Sequence, residues 1–148
     1  MRIIAIEEHF ITPMYREHVS ANEFRNFYLT SRGQAMGHDI IAENLDLGAS
    51  RIAHMDAAGV DVQVLSFGSP GPQAFDAKVA IPMARDANDR MHEATKQYPD
   101  RFYAFAALPT ADPQESAKEL VRCVTKLGFK GAMIHSHQQG EFLDSRKY

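Results

Sequence analysis

The chain has 148 residues and a single cysteine, Cys123, so it cannot close a disulfide on itself. The neighbours of Cys123 read as an amphipathic helix, and a packed thiol is its expected state. Such cysteine usage fits a reducing compartment, and a cytoplasmic location is expected. Long apolar runs are missing as well. The longest are strand-sized, well short of the roughly 20 residues that a membrane-spanning helix needs. A signal-peptide pattern is also absent, because Glu7, Glu8 and His9 interrupt the first apolar stretch. There is no excess of basic residues: 16 Lys and Arg stand against 19 Asp and Glu, for a net charge of −3. With no basic stripe, neither nucleic acid nor an anionic membrane surface is an expected partner. Gly-x-Ser-x-Gly, phosphate-loop and dinucleotide fingerprints do not occur, nor do short repeats or low-complexity segments.

What remains is a globular composition, 45% apolar and 24% charged, which argues against disorder. The length suits one domain, residues 1–148, with a real core. Seven histidines are rather many and point weakly to metal or acid–base chemistry. Attention falls first on Met1 to Phe10, whose apolar residues give way to polar ones after Ile6. As a regular strand this segment puts Ile3, Ala5, Glu7 and His9 on one face. Glu7 and His9 would then leave the strand end side by side, where a carboxylate and an imidazole can share a divalent cation. The plainer alternative is a frayed surface N-terminus. Glu8, on the opposite face, suits a structural ion pair.

Further along, Thr12-Pro13 starts a short helix, and an irregular excursion from Ser20 to Leu47 contains a second one near Ile40 to Leu45. Such an excursion suits a lid or one wall of a site. A helix is expected over Ser50 to Ala58, stopped by Gly59, and a strand over Val60 to Phe67. Asp76 to Gln97 has helical spacing despite Pro82. Phe102 to Leu108 reads as a third strand. Asp112-Pro113 opens a helix running to about Leu127, with Ala117, Leu120, Val121 and Val124 as its apolar face. Phe129 to Ile134 reads as a fourth strand. Strands alternating with helices predict an α/β fold with a parallel sheet, either doubly wound or part of a (β/α) barrel. In both, function sits at the C-terminal strand ends. Three polar clusters lie at such ends: Glu7 to His9, Ser66 to Gln73, and His135 to Gln139.

These segments also carry a family resemblance. Ile4-Ala5-Ile6-Glu7-Glu8-His9-Phe10 resembles the opening strand of the amidohydrolase-related decarboxylases, the group that includes γ-resorcylate and 2,3-dihydroxybenzoate decarboxylases. The likeness continues over residues 51–66, at Ser69-Pro70-Gly71, Ala87-Asn88-Asp89, 98–102 and 128–134, in the family's order. It implies the N-terminal half of a (β/α)8 barrel, about four parallel strands with intervening helices, from a protein about twice this length. It implies a divalent metal ion (Zn, Mn or Mg) held by Glu7 and His9, with the remaining ligands beyond Tyr148. It also implies a small aromatic carboxylic acid as substrate, decarboxylated without oxidation. The metal would hold the carboxylate and the adjacent phenolic oxygen.

His135 stands where the family more often has asparagine, and a substrate-contacting or loop role is expected for it, ahead of metal ligation as a pair with His137. His54, where relatives commonly carry aspartate, suits packing or surface. His18, His38 and His92 read as surface positions. Ser66, Ser69 and Pro70 are expected to shape one wall of the pocket. Phe24 could close over an aromatic substrate, as could Phe27, although their helical spacing favours ordinary core packing. Hydrolysis of a C–N or lactone bond is the alternative reaction. Another reading is an inactive fragment, or a half-barrel that works only on assembly; a last strand without its covering helix favours a homo-oligomer.

Overall fold

The structure is a computed structural model that describes residues 1–19, 37, 39–138, 140–146 and 148. Its centre is a parallel sheet in the order β1 (Ile4–Phe10), β2 (Val62–Phe67), β3 (Phe102–Ala104). The helices are α1 (Pro13–His18), α2 (Ile40–Leu45), α3 (Ala49–Ala58), α4 (Ala77–Gln97) and α5 (Pro113–Lys126). A 3-10 turn, Gly71–Ala74, follows β2. Among the described residues, no helix is long and apolar enough to cross a membrane.

Local chemistry explains most of the boundaries. Thr12 caps α1, accepting from the backbone N–H of Tyr15, and Pro13 occupies the first turn, where a missing N–H costs nothing. Asp76 and Asp112 cap α4 and α5 in the same way. Gly59 ends α3 at φ 69°, a left-handed conformation that glycine enters without steric cost. Pro82 sits in the first turns of α4, which runs on to Gln97. Phe10, Tyr15, Met55, Leu65, Phe67, Met83, Met91 and Phe102 form the core between sheet and helices.

Three expectations need correction. The fourth strand is reduced to a single parallel bridge, Ala106 to Ala132, with flanking bonds from Lys130 N to Ala104 O and from Met133 N to Ala106 O. The third strand likewise shortens to three residues. The buried face of α5 is Ser116, Glu119 and Cys123, whereas Val121 and Val124 are exposed. Polar residues take the inner face because Glu119 has inner partners. Asn88 Nδ2 donates to it at 2.8 Å and Arg122 Nη2 at 2.7 Å. The same Asn88 brackets the backbone of Ala107, accepting from its N–H and donating to its carbonyl. This network ties α4 and α5 to the segment after β3. Burial pushes the Glu119 carboxyl up, but the hydrogen bonds from Arg122 and Asn88 outweigh it and hold the group below its usual range.

In the sheet β1 is an edge strand. Ile3, Ile4 and Ile6 are exposed, while Phe10 at its far end is buried.

Candidate metal centre

Regular alternation does not carry through β1. Ala5 pairs with Gln63 and Glu8 with Leu65, so three steps on β1 match two on β2. The additional residue is accommodated at Glu7, whose φ of 59° is left-handed. A bulge of this kind bends a strand and re-aims a side chain, and bulges concentrate beside functional sites. Glu7 is exposed at this bend. Glu8 faces Arg51, 3.9 Å away, as its expected structural role requires. Arg51 in turn donates to the His9 carbonyl and to Gln63 Oε1, tying α3 to β1 and β2. A cleft of about 450 Å³ opens here, lined by Glu8, His9, Arg51 and His54 but not by Glu7.

Beyond the bulge, His9 regains register directly opposite Ser66 of β2. His9 Nδ1 lies 2.8 Å from Ser66 Oγ. The His9 and His135 rings meet edge to face, with centroids 5.8 Å apart. Burial pushes the His9 imidazole below its usual range; His135 adds to the drop, and the Glu7 carboxylate opposes it. The outcome is a neutral imidazole at neutral pH, the form that binds a metal.

His135 is held from two sides. Its Nε2 lies 3.0 Å from the Phe67 carbonyl at the end of β2. Gln73, buried in the 3-10 turn, accepts from the His135 backbone N–H at 2.6 Å and donates to its carbonyl at 3.1 Å. The strand-end loops after β2 and after residue 134 are thereby clamped together.

The structure therefore brings together His9, Ser66 and His135, with the charge of Glu7 felt at His9. Ser66 is fully buried, its hydroxyl on His9. Ser69 and Pro70 are half-buried in the loop after β2. Phe24, Phe27 and His38 lie outside the described residues. His54 is exposed, His18 is exposed with Nδ1 near the Met14 carbonyl, and His92 reaches the Leu127 carbonyl. Two residues escaped the sequence reading. Gln73 stands in one of the polar strand-end clusters, yet no spacing rule links it to His135. Arg51 follows the same pattern with Glu8.

One carboxylate and one imidazole make a donor set suited to Mn, Zn or Mg. Among the described residues, no group of three or more His, Cys, Asp or Glu side chains comes together to hold a metal. Glu7 and His9 therefore fit a cation as a partial ligand set.

Comparison with known proteins follows the same lines. The amidohydrolase family model matches residues 9–148. A γ-resorcylate decarboxylase from Rhizobium radiobacter is 39% identical over 137 residues, which are 92% of this chain and 39% of that protein. A crystal structure of 5-carboxyvanillate decarboxylase from Novosphingobium aromaticivorans, complexed with manganese and 4-hydroxy-3-methoxy-5-nitrobenzoic acid, superposes with a TM-score of 0.85 at 37% identity. It covers 99% of this chain and 45% of that one. A dihydroxybenzoic acid decarboxylase from a Polaromonas species, with bound manganese and the inhibitor 2-nitroresorcinol, gives a TM-score of 0.71 at 34% identity, over 92% and 39% of the two chains. The chain thus spans less than half the length of the relatives it matches.

Proposed function

The chain belongs to the amidohydrolase family, and from that premise we propose that Glu7 and His9 contribute part of a divalent-metal site in a carboxy-lyase acting on a hydroxylated aromatic acid. Its fold is the N-terminal half of the family's (β/α)8 barrel. The observation that supports the reading is the bulged end of β1: it re-aims Glu7, whose charge reaches His9, and His9 in turn meets the clamped His135 edge to face.

Each residue has a distinct part. Glu7 supplies negative charge, and His9 an imidazole nitrogen, to the cation. When bound, the cation supplies Lewis-acid positioning of the substrate's carboxylate and phenolic oxygen. His135, fixed by Gln73 and by the Phe67 carbonyl, presents a polar wall to the aromatic acid. Ser69 and Pro70 continue that wall, and Phe24 belongs to the same reading as an aromatic cover. The relatives named above are all decarboxylases, which favours release of carbon dioxide over hydrolysis. A homo-oligomer belongs to the same reading, supported by the uncovered Ile4 and Ile6 of β1; sedimentation equilibrium showing monomer alone would remove it.

Titration with Mn²⁺, followed by the loss of the free-ion electron paramagnetic resonance signal, tests the metal site. Uptake is expected in the chain and not in the Glu7→Ala, His9→Ala double variant. With only part of a ligand set, binding should be weak, and 2,6-dihydroxybenzoate should tighten it in the unaltered chain alone. Equal uptake by both proteins removes the proposal. Mn²⁺ uptake that the aromatic acid leaves unchanged removes the substrate class.

A further inference from the structure

We propose that Ser66 is a positioning residue that fixes the tautomer of His9, accepting its Nδ1–H and leaving Nε2 as the one ring nitrogen with a lone pair for a cation. The inference rests on the metal reading of His9 and adds to it a residue that acts through His9.

The geometry comes from the strands themselves. His9 and Ser66 are direct partners in the β1–β2 register, so they share a face of the sheet without help from any loop. Their side chains meet at 2.8 Å, a good hydrogen-bond distance. Ser66 is 0% exposed, so water does not compete with His9 for its hydroxyl. A neutral imidazole carries one N–H and one lone pair, and a hydroxyl can serve as donor or acceptor. If the hydroxyl donates to Nδ1, the proton sits on Nε2 and that nitrogen cannot ligate. If it accepts from Nδ1, Nε2 is a ligand. Since Nδ1 is engaged, a cation at His9 must use Nε2, and only the second arrangement permits that. Hydrogen bonds from the far nitrogen of a ligating histidine commonly set the tautomer and orient the ring, and losing one typically weakens metal binding about 10- to 100-fold. A hydroxyl is an uncommon choice beside the usual carboxylate or backbone carbonyl. It adds no charge to a site that already has Glu7.

The bulge gives the pairing a second purpose. The left-handed Glu7 interrupts the β1 ladder two residues before His9. The cross-strand bond to Ser66 restores a fixed reference for the imidazole just beyond that interruption. Ser66 thus determines where His9 points relative to a ligand carried on an irregular stretch of backbone.

Two measurements on the full chain test this. The first needs no metal: histidine ¹⁵N spectra at about pH 8, where imidazoles are neutral, report which ring nitrogen carries the proton. His9 is expected as the Nδ1–H form. An Nε2–H form overturns the inference whatever metal binding shows. The second compares Mn²⁺ affinity in the unaltered chain, Ser66→Ala and Ser66→Thr. Ser66→Ala should give a tautomer mixture at His9 and bind Mn²⁺ about 10- to 100-fold more weakly. Ser66→Thr, which keeps the hydroxyl, should restore both. Unchanged affinity in Ser66→Ala, with uptake intact in the unaltered chain, overturns the positioning role alone. No uptake in the unaltered chain overturns the metal reading beneath it. If neither variant folds, the tautomer of the unaltered chain still decides.

Discussion

At Glu7 the backbone geometry and the proposed metal role pull in different directions. Its φ of 59° is a left-handed conformation that a side chain with a Cβ adopts at a cost of about 1 kcal/mol. Glycine enters the same region freely. Glu7→Gly should therefore raise stability by about 1 kcal/mol in denaturant unfolding while removing Mn²⁺ uptake. Glu7→Gln keeps the strain and should lose uptake with little change in stability. A loss of stability in Glu7→Gly would mean that the bend is not strained. Cys123 shows the opposite case, a reactive group silenced by its surroundings. Burial, reinforced by the nearby Glu119 carboxylate, pushes its thiol up to about 12. At neutral pH it should resist thiol reagents in the folded chain and react on unfolding; rapid labelling under native conditions would contradict the packing of α5.

At the level of elements, polar contacts add to the apolar core in joining helices to the sheet. Asn88, Glu119 and Arg122 link α4 and α5 to the segment after β3. Glu119→Gln keeps the shape and removes the charge, and should cost about 2 kcal/mol at neutral pH. The Glu119 carboxyl is held below its usual range, so the folded state binds its proton less readily than the unfolded chain does. Its contribution is therefore present above the unfolded carboxyl range, about pH 4.3, and is lost as the pH falls through the lower folded value. The gap between the unaltered chain and Glu119→Gln should close on acidification; a gap independent of pH would count against the network. This network also marks the limit of sequence reading. Caps, glycine stops and the periodicity of α4 are local, and the order of strands and helices was legible from them. The inner face of α5 was not. Hydrophobic periodicity favours Val121 and Val124, and nothing local announces that Glu119 has partners 31 residues away on α4. At the site, the placing of His9, Ser66 and His135 at strand ends was legible from topology, whereas the alternation that put Glu7 on the face of His9 breaks at the bulge. The bulge, the Ser66 bond and the Gln73 clamp were not legible, because each depends on cross-strand register or on a contact between distant loops.

On the scale of the whole molecule, the sheet is finished on one side and open on the other. Helices cover the side that holds Leu65 and Phe67, while Ile4 and Ile6 of β1 stand 50% and 63% exposed at the sheet edge. This is the shape expected where a barrel's first strand has no neighbour on its outer side, and it explains why an apolar segment that reads as buried has so little cover. Two substitutions separate the two environments. Leu65→Ala, at 0% exposure in the core, should cost about 3 kcal/mol through lost transfer energy and a residual cavity. Ile6→Thr should stay within about 0.5 kcal/mol in the dilute chain, because the side chain gives up little buried surface and keeps its β-branch. Urea unfolding of both variants makes the comparison. If Ile6→Thr costs as much as Leu65→Ala at every concentration, then the outer edge of β1 is covered within a single chain, and the sheet order β1–β2–β3 with β1 at its margin is wrong. If the cost of Ile6→Thr appears only as concentration rises, the cover comes from a second copy, since only association makes stability depend on concentration.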